Sequence, residues 1–337
     1  MENLSPLQQW LTLHQEAIID PEREIVDPHH HLWRYVSPEI DPYLLKDLWA
    51  DAATGHNITK TIFMECRAEY LTEGPEHLRA VGETEFVTKM AKKSEQGSGP
   101  TIAAIVAHVD LRIGEAKLKE ALAAHAEASE DRLRGIRDAL SCAPEGVALL
   151  IPGPAPKDLY KDVNFRAGLK QLGQLGYTYD SWHYHFQNPE FLELAQATPD
   201  TVMILDHFGT PLGVPPYDSQ REEIFTQWKK DVAAIAKCEN TRAKLGGLAM
   251  PDNGFGWMGR AMPPSSDELV AAHADYYHFM IDCFGPDRCM FESNFPVDKL
   301  SVAYPILWNA LKKIASRYSE SEQEALFKGT ATRVYRL

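Results

Sequence analysis

The sequence has few of the features that mark secreted, membrane-spanning or nucleic-acid-binding proteins. Its five cysteines are widely scattered and form no Cys-x-x-Cys pair, which argues against a disulfide framework or a structural zinc knuckle. Acidic residues outnumber basic ones by 48 to 34, a balance that predicts no nucleic acid partner and no binding to anionic membranes. No uncharged apolar run is long enough for a membrane span, and residues 1–24 lack the basic start and apolar core of a signal peptide. We therefore expect a soluble, cytoplasmic protein.

Short segments rich in β-forming residues alternate with longer amphipathic segments. The predicted strands are residues 25–27, 60–65, 102–108, 133–137, 177–184, 201–205, 241–245 and 288–292, and the predicted helices are residues 75–93, 114–129, 164–173, 190–197, 219–238 and 266–283. A doubly wound open sheet is less favoured, because no Gly-x-Gly-x-x-Gly follows the first strand. The pattern predicts an α/β protein in which one (β/α)8 TIM-barrel domain over residues 25–337 follows an N-terminal helical extension over residues 1–24.

Two long segments follow predicted strands, where a barrel places its catalytic face. Residues 143–162 follow the fourth strand and contain four prolines, and residues 249–266 follow the seventh and are rich in Gly, Pro and Met. We expect the second segment to cover the catalytic face as a lid.

The first predicted strand runs into an Asp-x-His-x-His pattern at Asp27, His29 and His31. Alternate side chains of a strand point to the same face, so His29 and His31 are expected to converge while His30 points away. Two converging imidazoles can share a metal ion or contact one substrate oxygen. The alternative is a histidine-rich turn without a function in binding.

Polar residues also follow most of the other predicted strands. They are Glu65 and Arg67 after the second strand, Arg137 and Asp138 at the fourth, Tyr184 and His185 at the fifth, Asp206 and His207 after the sixth, and Glu292 and Asn294 at the eighth. Because barrel active sites form at the carboxyl ends of the strands, this distribution predicts a cluster of functional groups.

The ordered set of motifs resembles the lactonase branch of the amidohydrolase superfamily, which includes L-fuconolactonase and 2-pyrone-4,6-dicarboxylate lactonase. The motifs are Asp27-Pro-His29-His-His31-Leu-Trp33, Glu65-Cys-Arg67, Gly135-Ile-Arg137, Trp182-x-Tyr184-His185-x-Gln187, Asp206-His207-x-Gly209-x-Pro211 and Phe291-x-Ser293-Asn294-x-Pro296. The resemblance covers residues 25–337 and implies a (β/α)8 barrel that hydrolyses a lactone or a related cyclic ester.

The resemblance also implies an electrophilic centre. His29, His31 and His185 match histidines that hold a metal ion or polarise the lactone carbonyl, so one divalent metal such as Zn²⁺ is expected there, with metal-independent polarisation as the alternative. Glu65 is then a fourth ligand or a base that orients water, and the alternative for Glu65 is an ion pair with Arg67 or Arg137.

For substrate binding, the resemblance implies that Arg67 and Arg137 present guanidinium groups to a substrate carboxylate, a task that suits the planar fork of arginine. The alternative is a salt bridge at the barrel mouth. His207 and Tyr184 are expected to contact the substrate, and a structural role is equally compatible with His207. The expected partner is a small anionic molecule, and a homo-oligomer is compatible with the sequence.

The sequence departs from the family at Asn294, where family lactonases have the aspartate that takes a proton from the attacking water. An amide cannot accept that proton at neutral pH. Either another group is the base (Glu65, a histidine or Asp298), or a metal-bound hydroxide attacks, or the reaction is a decarboxylation or isomerisation. A non-catalytic protein that binds small acids is a further alternative. Arg137 stands where other superfamily members have a metal-bridging lysine, so we expect no binuclear centre, and Asn294 is expected to orient water or substrate.

Overall fold

Eight parallel strands form one sheet in which each strand pairs with the next along the chain. The structure is a computed structural model that describes residues 4–35 and 40–337. The strands are β1 (Glu24–His30), β2 (Asn57–Met64), β3 (Thr101–Ala107), β4 (Leu133–Arg137), β5 (Thr178–Ser181), β6 (Met203–Leu205), β7 (Thr241–Leu245) and β8 (Cys289–Phe291). The ends of β1 and β8 meet where the N–H of His31 donates to the carbonyl oxygen of Phe295 over 2.8 Å. The predicted (β/α)8 TIM barrel is confirmed.

Helices connect the strands and cover the barrel. They are α1 (Pro6–Leu11), α2 (Leu45–Ala52), α3 (Val81–Ser94), α4 (Glu115–Ser129), α5 (Val163–Gln174), α6 (Asn188–Ala197), α7 (Arg221–Ile235), α8 (Ser266–Phe284), α9 (Tyr304–Ala315), α10 (Glu320–Glu324) and α11 (Thr330–Tyr335). Local sequence fixes where several of them begin. Asp162 caps α5 by accepting hydrogen bonds from two backbone N–H groups, and Ser265 forms a capping box with Glu268 at the start of α8. None of the helices in the described part of the chain is long and apolar enough to cross a membrane.

The interior of the barrel is apolar at one end and charged at the other. A small apolar cluster inside the sheet is separate from the larger core between strands and helices, and it consists of Val26, Ile62, Met64, Ala104, Val106, Ile204, Met290, Ala331 and Tyr335. Side chains of a strand alternate between faces, so inward positions two residues further along carry the polar groups of the site. Asp206 follows Ile204 in this way, and Glu292 follows Met290.

The N-terminal extension is helical over six residues only, and its first three residues lie outside the described part of the chain. Pro6 opens α1 and Ser5 caps it with a capping box. The indole N–H of Trp10 donates to the carbonyl oxygen of Arg260 over 2.7 Å. This bond attaches α1 to the segment that follows β7.

Candidate active site

His29 and His31 meet at the end of β1. Their Nε2 atoms lie 3.3 Å apart, and both side chains are buried. The pairing of β1 with β2 changes register between Asp27 and His30, an irregularity that re-aims the following side chains. Val26 points into the barrel, yet His30 packs against Phe63 on the outer side of the sheet. The predicted convergence of His29 and His31 is therefore what the structure shows.

An oxygen atom lies on the far side of each ring of this pair. The Nδ1–H of His31 donates to the carbonyl oxygen of Met64 over 2.8 Å, and Nδ1 of His29 lies 2.8 Å from Oε2 of Glu292. Burial, followed by the charge of Lys244 for His29 and of Arg137 for His31, lowers the pKa of both imidazoles well below the usual value. The neutral form of both rings is therefore favoured, and their Nε2 atoms lie next to each other.

Glu292 joins the histidines of β1 to His207. Its Oε1 lies 2.7 Å from Nδ1 of His207, which donates the hydrogen bond, while its Oε2 faces His29. Burial lowers the pKa of His207, but the charge and hydrogen bond of Glu292 raise it more, so the pKa lies above its usual value. Glu292 therefore favours the imidazolium form of His207, the form that can donate a proton.

Two glycines leave room for this Glu292–His207 pair. A Cβ on Gly246 would lie 2.3 Å from Cγ of Glu292, and a Cβ on Gly247 would lie 2.5 Å from Nδ1 of His207. His207 itself has a left-handed backbone with φ of 53°. Such strain in a residue other than glycine is often found at functional sites.

The residues present fit a divalent metal ion. Two nitrogens at neighbouring corners of tetrahedral zinc are separated by about 3.3 Å when each Zn–N bond is about 2.0–2.1 Å. The Nε2 atoms of His29 and His31 have this separation. The other ring nitrogen of His31 donates to a carbonyl oxygen, as metal-binding histidines usually do, and that of His29 lies 2.8 Å from a carboxylate oxygen of Glu292. Donor atoms of His29, Asp206 and His207 also lie within 4.8 Å of one another. Neither carboxylate oxygen of Asp206 accepts a hydrogen bond from a described residue, so both are available as ligands.

Buried charges surround the site. Lys244 lies 2.7 Å from Asp180 and 3.5 Å from Asp206, and the guanidinium of Arg137 lies 3.7 Å from Asp206. Arg137 also donates from Nε to Oε1 of Glu65 over 2.9 Å and from Nη2 to the carbonyl oxygen of the same residue. Fixed cations therefore offset part of the negative charge of the carboxylates.

A cavity of about 340 Å³ opens above these groups. Its polar lining combines predicted site residues, and its apolar lining comes mostly from loops. The lining includes His31, Glu65, Arg67, Arg137, His207 and Asn294, together with Trp33, Ile40, Cys66, Ala139, Ile151, Pro152, Pro154, Trp182, Met250 and Val297. The structure thus brings six of the predicted site residues to one cavity.

The segments after β4 and β7 meet over this cavity. Both carboxylate oxygens of Asp252 accept hydrogen bonds, from the backbone N–H groups of Leu150 and Ile151, at 2.7 and 2.9 Å. Met250 and Ile151 line the cavity from these two segments. The segment expected to be a lid therefore lies at the mouth, joined to the segment that follows β4.

Arg67 and Arg137 differ in whether their guanidinium groups already have partners among the described residues. Arg137 is engaged by Glu65 and Asp206, which matches the alternative of a salt bridge at the barrel mouth. Among the described residues, no atom accepts a hydrogen bond from the Arg67 guanidinium or forms an ion pair with it. Arg67 is therefore the better placed of the two for a substrate anion.

His185 is not part of the histidine cluster, and its prediction as a metal ligand requires correction. The sequence pattern predicted a strand to residue 184, but β5 ends at Ser181 and a 3-10 helix over His185–Gln187 follows. Its Nδ1 accepts a hydrogen bond from the N–H of Leu212 over 3.2 Å, and its ring packs against Phe186 and Tyr217. The early end of β5 carries His185 away from β1, and Asp206 and His207 approach His29 instead.

Tyr184 was predicted to contact the substrate, but its hydroxyl binds the loop after β4. It accepts a hydrogen bond from the N–H of Gly153 over 2.8 Å, and its side chain is not among those that line the cavity. Tyr184 therefore positions the wall formed by Pro152 and Pro154.

Asn294 lines the cavity and donates from Nδ2 to Oδ1 of Asp298 over 2.8 Å. Burial raises the pKa of Asp298 to about 7. The amide oxygen of Asn294 remains to orient water or substrate, while Asp298 lies behind the amide.

Lys244 and Asp180 were not identified from the sequence, and Glu292 was placed in the predicted cluster without a role of its own. Each follows the inward alternation of its strand, a signal that is present in the sequence: Tyr179 and Ala243 belong to the outer core, so Asp180 and Lys244 point inward. The alternation predicts on which face of the sheet a side chain lies, but it does not predict which residue of another strand that side chain contacts.

Comparisons with known proteins agree with this architecture. The family model described as amidohydrolase matches residues 26–337. The chain belongs to the amidohydrolase family. This amidohydrolase is 31% identical over 332 residues to the uncharacterized protein y4mH of Sinorhizobium fredii, covering 93% of this chain and 98% of the relative. It is 26% identical to the L-fucono-1,5-lactonase of Burkholderia multivorans, covering 93% and 96% of the two chains.

Among solved structures, the amidohydrolase resembles a Burkholderia multivorans amidohydrolase whose crystal structure has zinc bound. The TM-score is 0.72 at 24% identity, and the match covers 94% of this chain and all of the other. The similarity agrees with the barrel fold described above.

Proposed function

We propose that this amidohydrolase opens the ring of a lactone, or of a related cyclic ester, that carries a carboxylate. The observation that carries the proposal is the position of the His29–His31 pair beneath a cavity that also presents Arg67 and His207. An electrophilic centre, a guanidinium without a partner among the described residues, and a proton donor are groups that suit the hydrolysis of a carboxylated ester. The lactonase among the relatives supports the same reaction class.

The cavity walls favour a substrate with a flat or apolar ring. Trp33, Trp182 and Met250 face the space in which the ring would lie. Each hydroxyl of a sugar lactone that met such a wall would lose its hydrogen bonds with water, at a cost of about 1–3 kcal/mol. We therefore propose a carboxylated lactone with few hydroxyl groups.

In the proposed reaction, water adds to the ester carbonyl carbon, the ring C–O bond breaks, and a hydroxy acid forms. Oε2 of Glu65 has no hydrogen-bond partner among the described residues, and Glu65 lines the cavity, so it takes the proton from water. His207 donates its Nε2 proton to the departing alkoxide. Asn294 orients the water.

A metal ion, when bound, would polarise the carbonyl and lower the pKa of water. His29 and His31 would hold it, with Asp206 as a further ligand, because the neutral form of both imidazoles is favoured and the carboxylate oxygens accept no hydrogen bond from the described residues. Glu292 and Met64 would orient the two imidazoles from behind.

The proposal is tested by measuring the metal content of the purified protein and the acid released from a panel of lactones. The panel pairs carboxylated unsaturated lactones with their neutral analogues and with sugar lactones. We expect hydrolysis of the first group and loss of activity after chelation. Release of CO2 without ring opening would favour a decarboxylase of the same superfamily, isomerised product would favour an isomerase, and binding without turnover would favour a binding protein.

Replacing Arg67 with methionine is expected to lower kcat/KM for carboxylated lactones by about 10- to 100-fold. The variant loses a charge-assisted hydrogen bond worth about 1.5–3 kcal/mol, and methionine fills similar space. Steady-state kinetics with carboxylated and neutral lactones would measure the effect, and the neutral lactones serve as the control. Equal losses on both would mean that Arg67 is structural.

Changing Asn294 to aspartate is expected to leave lactone hydrolysis unchanged or to lower it. The new carboxylate would face Asp298 at the distance where Asn294 now donates, 2.8 Å, and two carboxylates so close share one proton. The variant therefore gains no free base, and Glu65 remains the proton acceptor. A rise in kcat toward the 10²–10⁴ that general bases supply would show that the native site lacks its base.

A further inference from the structure

Beyond the groups that face the cavity, a buried glutamate on α3 contacts the loop that carries Arg67. Glu83 lies in the first turn of this helix and is almost fully buried. Its Oε1 accepts hydrogen bonds from the backbone N–H of Cys66 over 3.0 Å and from that of Ala68 over 2.8 Å. These two N–H groups lie on either side of Arg67.

The backbone of Arg67 has the conformation that this contact requires. Its φ is 64°, in the left-handed region that residues other than glycine seldom adopt. The left-handed turn brings the N–H groups before and after Arg67 to one acceptor atom, and the Arg67 side chain lines the cavity. Without the acceptor, two N–H groups would lose their partner and the strain would be uncompensated.

The preceding residue of α3 supports the same loop. A Cβ on Gly82 would lie 2.5 Å from the carbonyl oxygen of Glu69 and 2.9 Å from the nitrogen of Leu71, so only glycine lets the helix approach this closely. Glu69 also has a left-handed backbone, with φ of 55°. The first turn of α3 therefore holds the loop at two neighbouring points.

We propose that Glu83 is a positioning residue that fixes Arg67 for binding the substrate carboxylate. The inference rests on the proposed role of the cavity as a carboxylate site. A guanidinium on a fixed backbone loses less conformational freedom when it binds an anion than one on a mobile loop does. Glu83 does not touch the ligand; it acts through the two N–H groups that flank Arg67.

The chemistry of Glu83 predicts which substitution preserves the function. Oε1 of Glu83 is the acceptor for both N–H groups, and burial raises the pKa of this carboxyl group to about 8, which favours the uncharged form. Glutamine offers the same acceptor at the same reach, whereas alanine offers none. Glu83→Gln should therefore behave as the native protein, and Glu83→Ala should not.

The experiment measures binding of benzoate and of its neutral analogue benzamide to the purified full-length protein, by the fluorescence of Trp33 and Trp182 in the cavity. We expect Arg67→Met to weaken benzoate binding by about 10- to 100-fold and to leave benzamide binding unchanged. Glu83→Ala should weaken benzoate binding by about tenfold or more, and the double variant should bind no more weakly than Arg67→Met alone. With lactones, Glu83→Ala should raise KM and leave kcat unchanged.

Glu85→Ala is the matched control, because Glu85 is exposed on the same helix. If Glu83→Ala does not fold, Glu83→Asp gives the same test, since its shorter side chain cannot reach both N–H groups. Unchanged benzoate binding in the Glu83 variants, together with a loss in Arg67→Met, would overturn this inference alone. Unchanged binding in Arg67→Met would overturn the carboxylate site itself, and losses that add in the double variant would show that Glu83 acts independently of Arg67.

Discussion

Replacing Lys244 with methionine is expected to lower the free energy of unfolding by about 3–5 kcal/mol, the usual cost of leaving a buried charge without its partner. Lys244 is fully buried, and its Nζ lies 2.7 Å from Asp180 and 3.5 Å from Asp206. Burial lowers the pKa of this amine, but the two carboxylates raise it more, so it is charged. Without it, Asp180 keeps only the hydroxyl of Tyr335 as a hydrogen-bond donor among the described residues.

Urea unfolding followed by circular dichroism would measure this loss as a lower midpoint at unchanged slope. Lys119→Met is the matched control, because Lys119 forms an exposed ion pair with Glu115 on α4, and such pairs contribute about 0–1 kcal/mol. Adding Asp180→Asn to Lys244→Met should recover part of the stability, since the uncompensated charge is then removed. Equal midpoints for the Lys244 and Lys119 variants would contradict a structural role for the buried ion pair.

The barrel was predictable because alternation of strands and helices is a local pattern. The convergence of His29 and His31 was predictable for the same reason, since two residues on one strand share a face whatever the rest of the fold does. Which face of the sheet the two histidines occupy was not predictable. Strict alternation from Val26 would turn His30 into the barrel, and the register change in β1 reverses this.

The errors concern the end of one strand and the contacts between neighbouring strands. His185 left the site because β5 ends three residues before the predicted boundary, and apolar and aromatic residues after Ser181 resemble a continuing strand. Lys244 received no role because a single lysine in a strand ordinarily points to solvent. Its partners Asp180 and Asp206 come from β5 and from the end of β6, and their contact with Lys244 depends on the order and register in which the barrel sets these neighbouring strands beside β7.

The electrostatic role of Arg137 is another consequence of the closed barrel. The sequence placed Arg67 and Arg137 together as carboxylate binders, and both line the cavity. The carboxylates of Glu65 and Asp206 engage Arg137, whereas the loop after β2 carries Arg67 with no acceptor among the described residues. Arg67 and Arg137, for which the sequence predicts the same function, therefore differ in the positive charge that they can offer a ligand.

Changing Glu292 to glutamine is expected to lower kcat/KM for lactone hydrolysis by about 10²–10⁴, the range for loss of general acid–base catalysis. The carboxylate accepts from Nδ1 of His207 over 2.7 Å and faces Nδ1 of His29 at 2.8 Å, whereas the amide offers only one acceptor oxygen. Metal affinity should also fall by about 10- to 100-fold, as when other partners of metal-binding histidines are lost.

The pH dependence of this Glu292→Gln variant separates loss of the charge from simple misfolding. Burial lowers the pKa of His207 and Glu292 raises it, so without the carboxylate the pKa falls. The limb of the pH–kcat/KM profile that reports the protonated His207 should then move to lower pH. Glu115→Gln is the control: Glu115 is exposed, so this variant should leave the profile unchanged. A Glu292→Gln enzyme with native kcat/KM and an unshifted profile would show that His207 is not the proton donor. A loss of activity with an unshifted profile would instead assign to Glu292 only the orientation of His29.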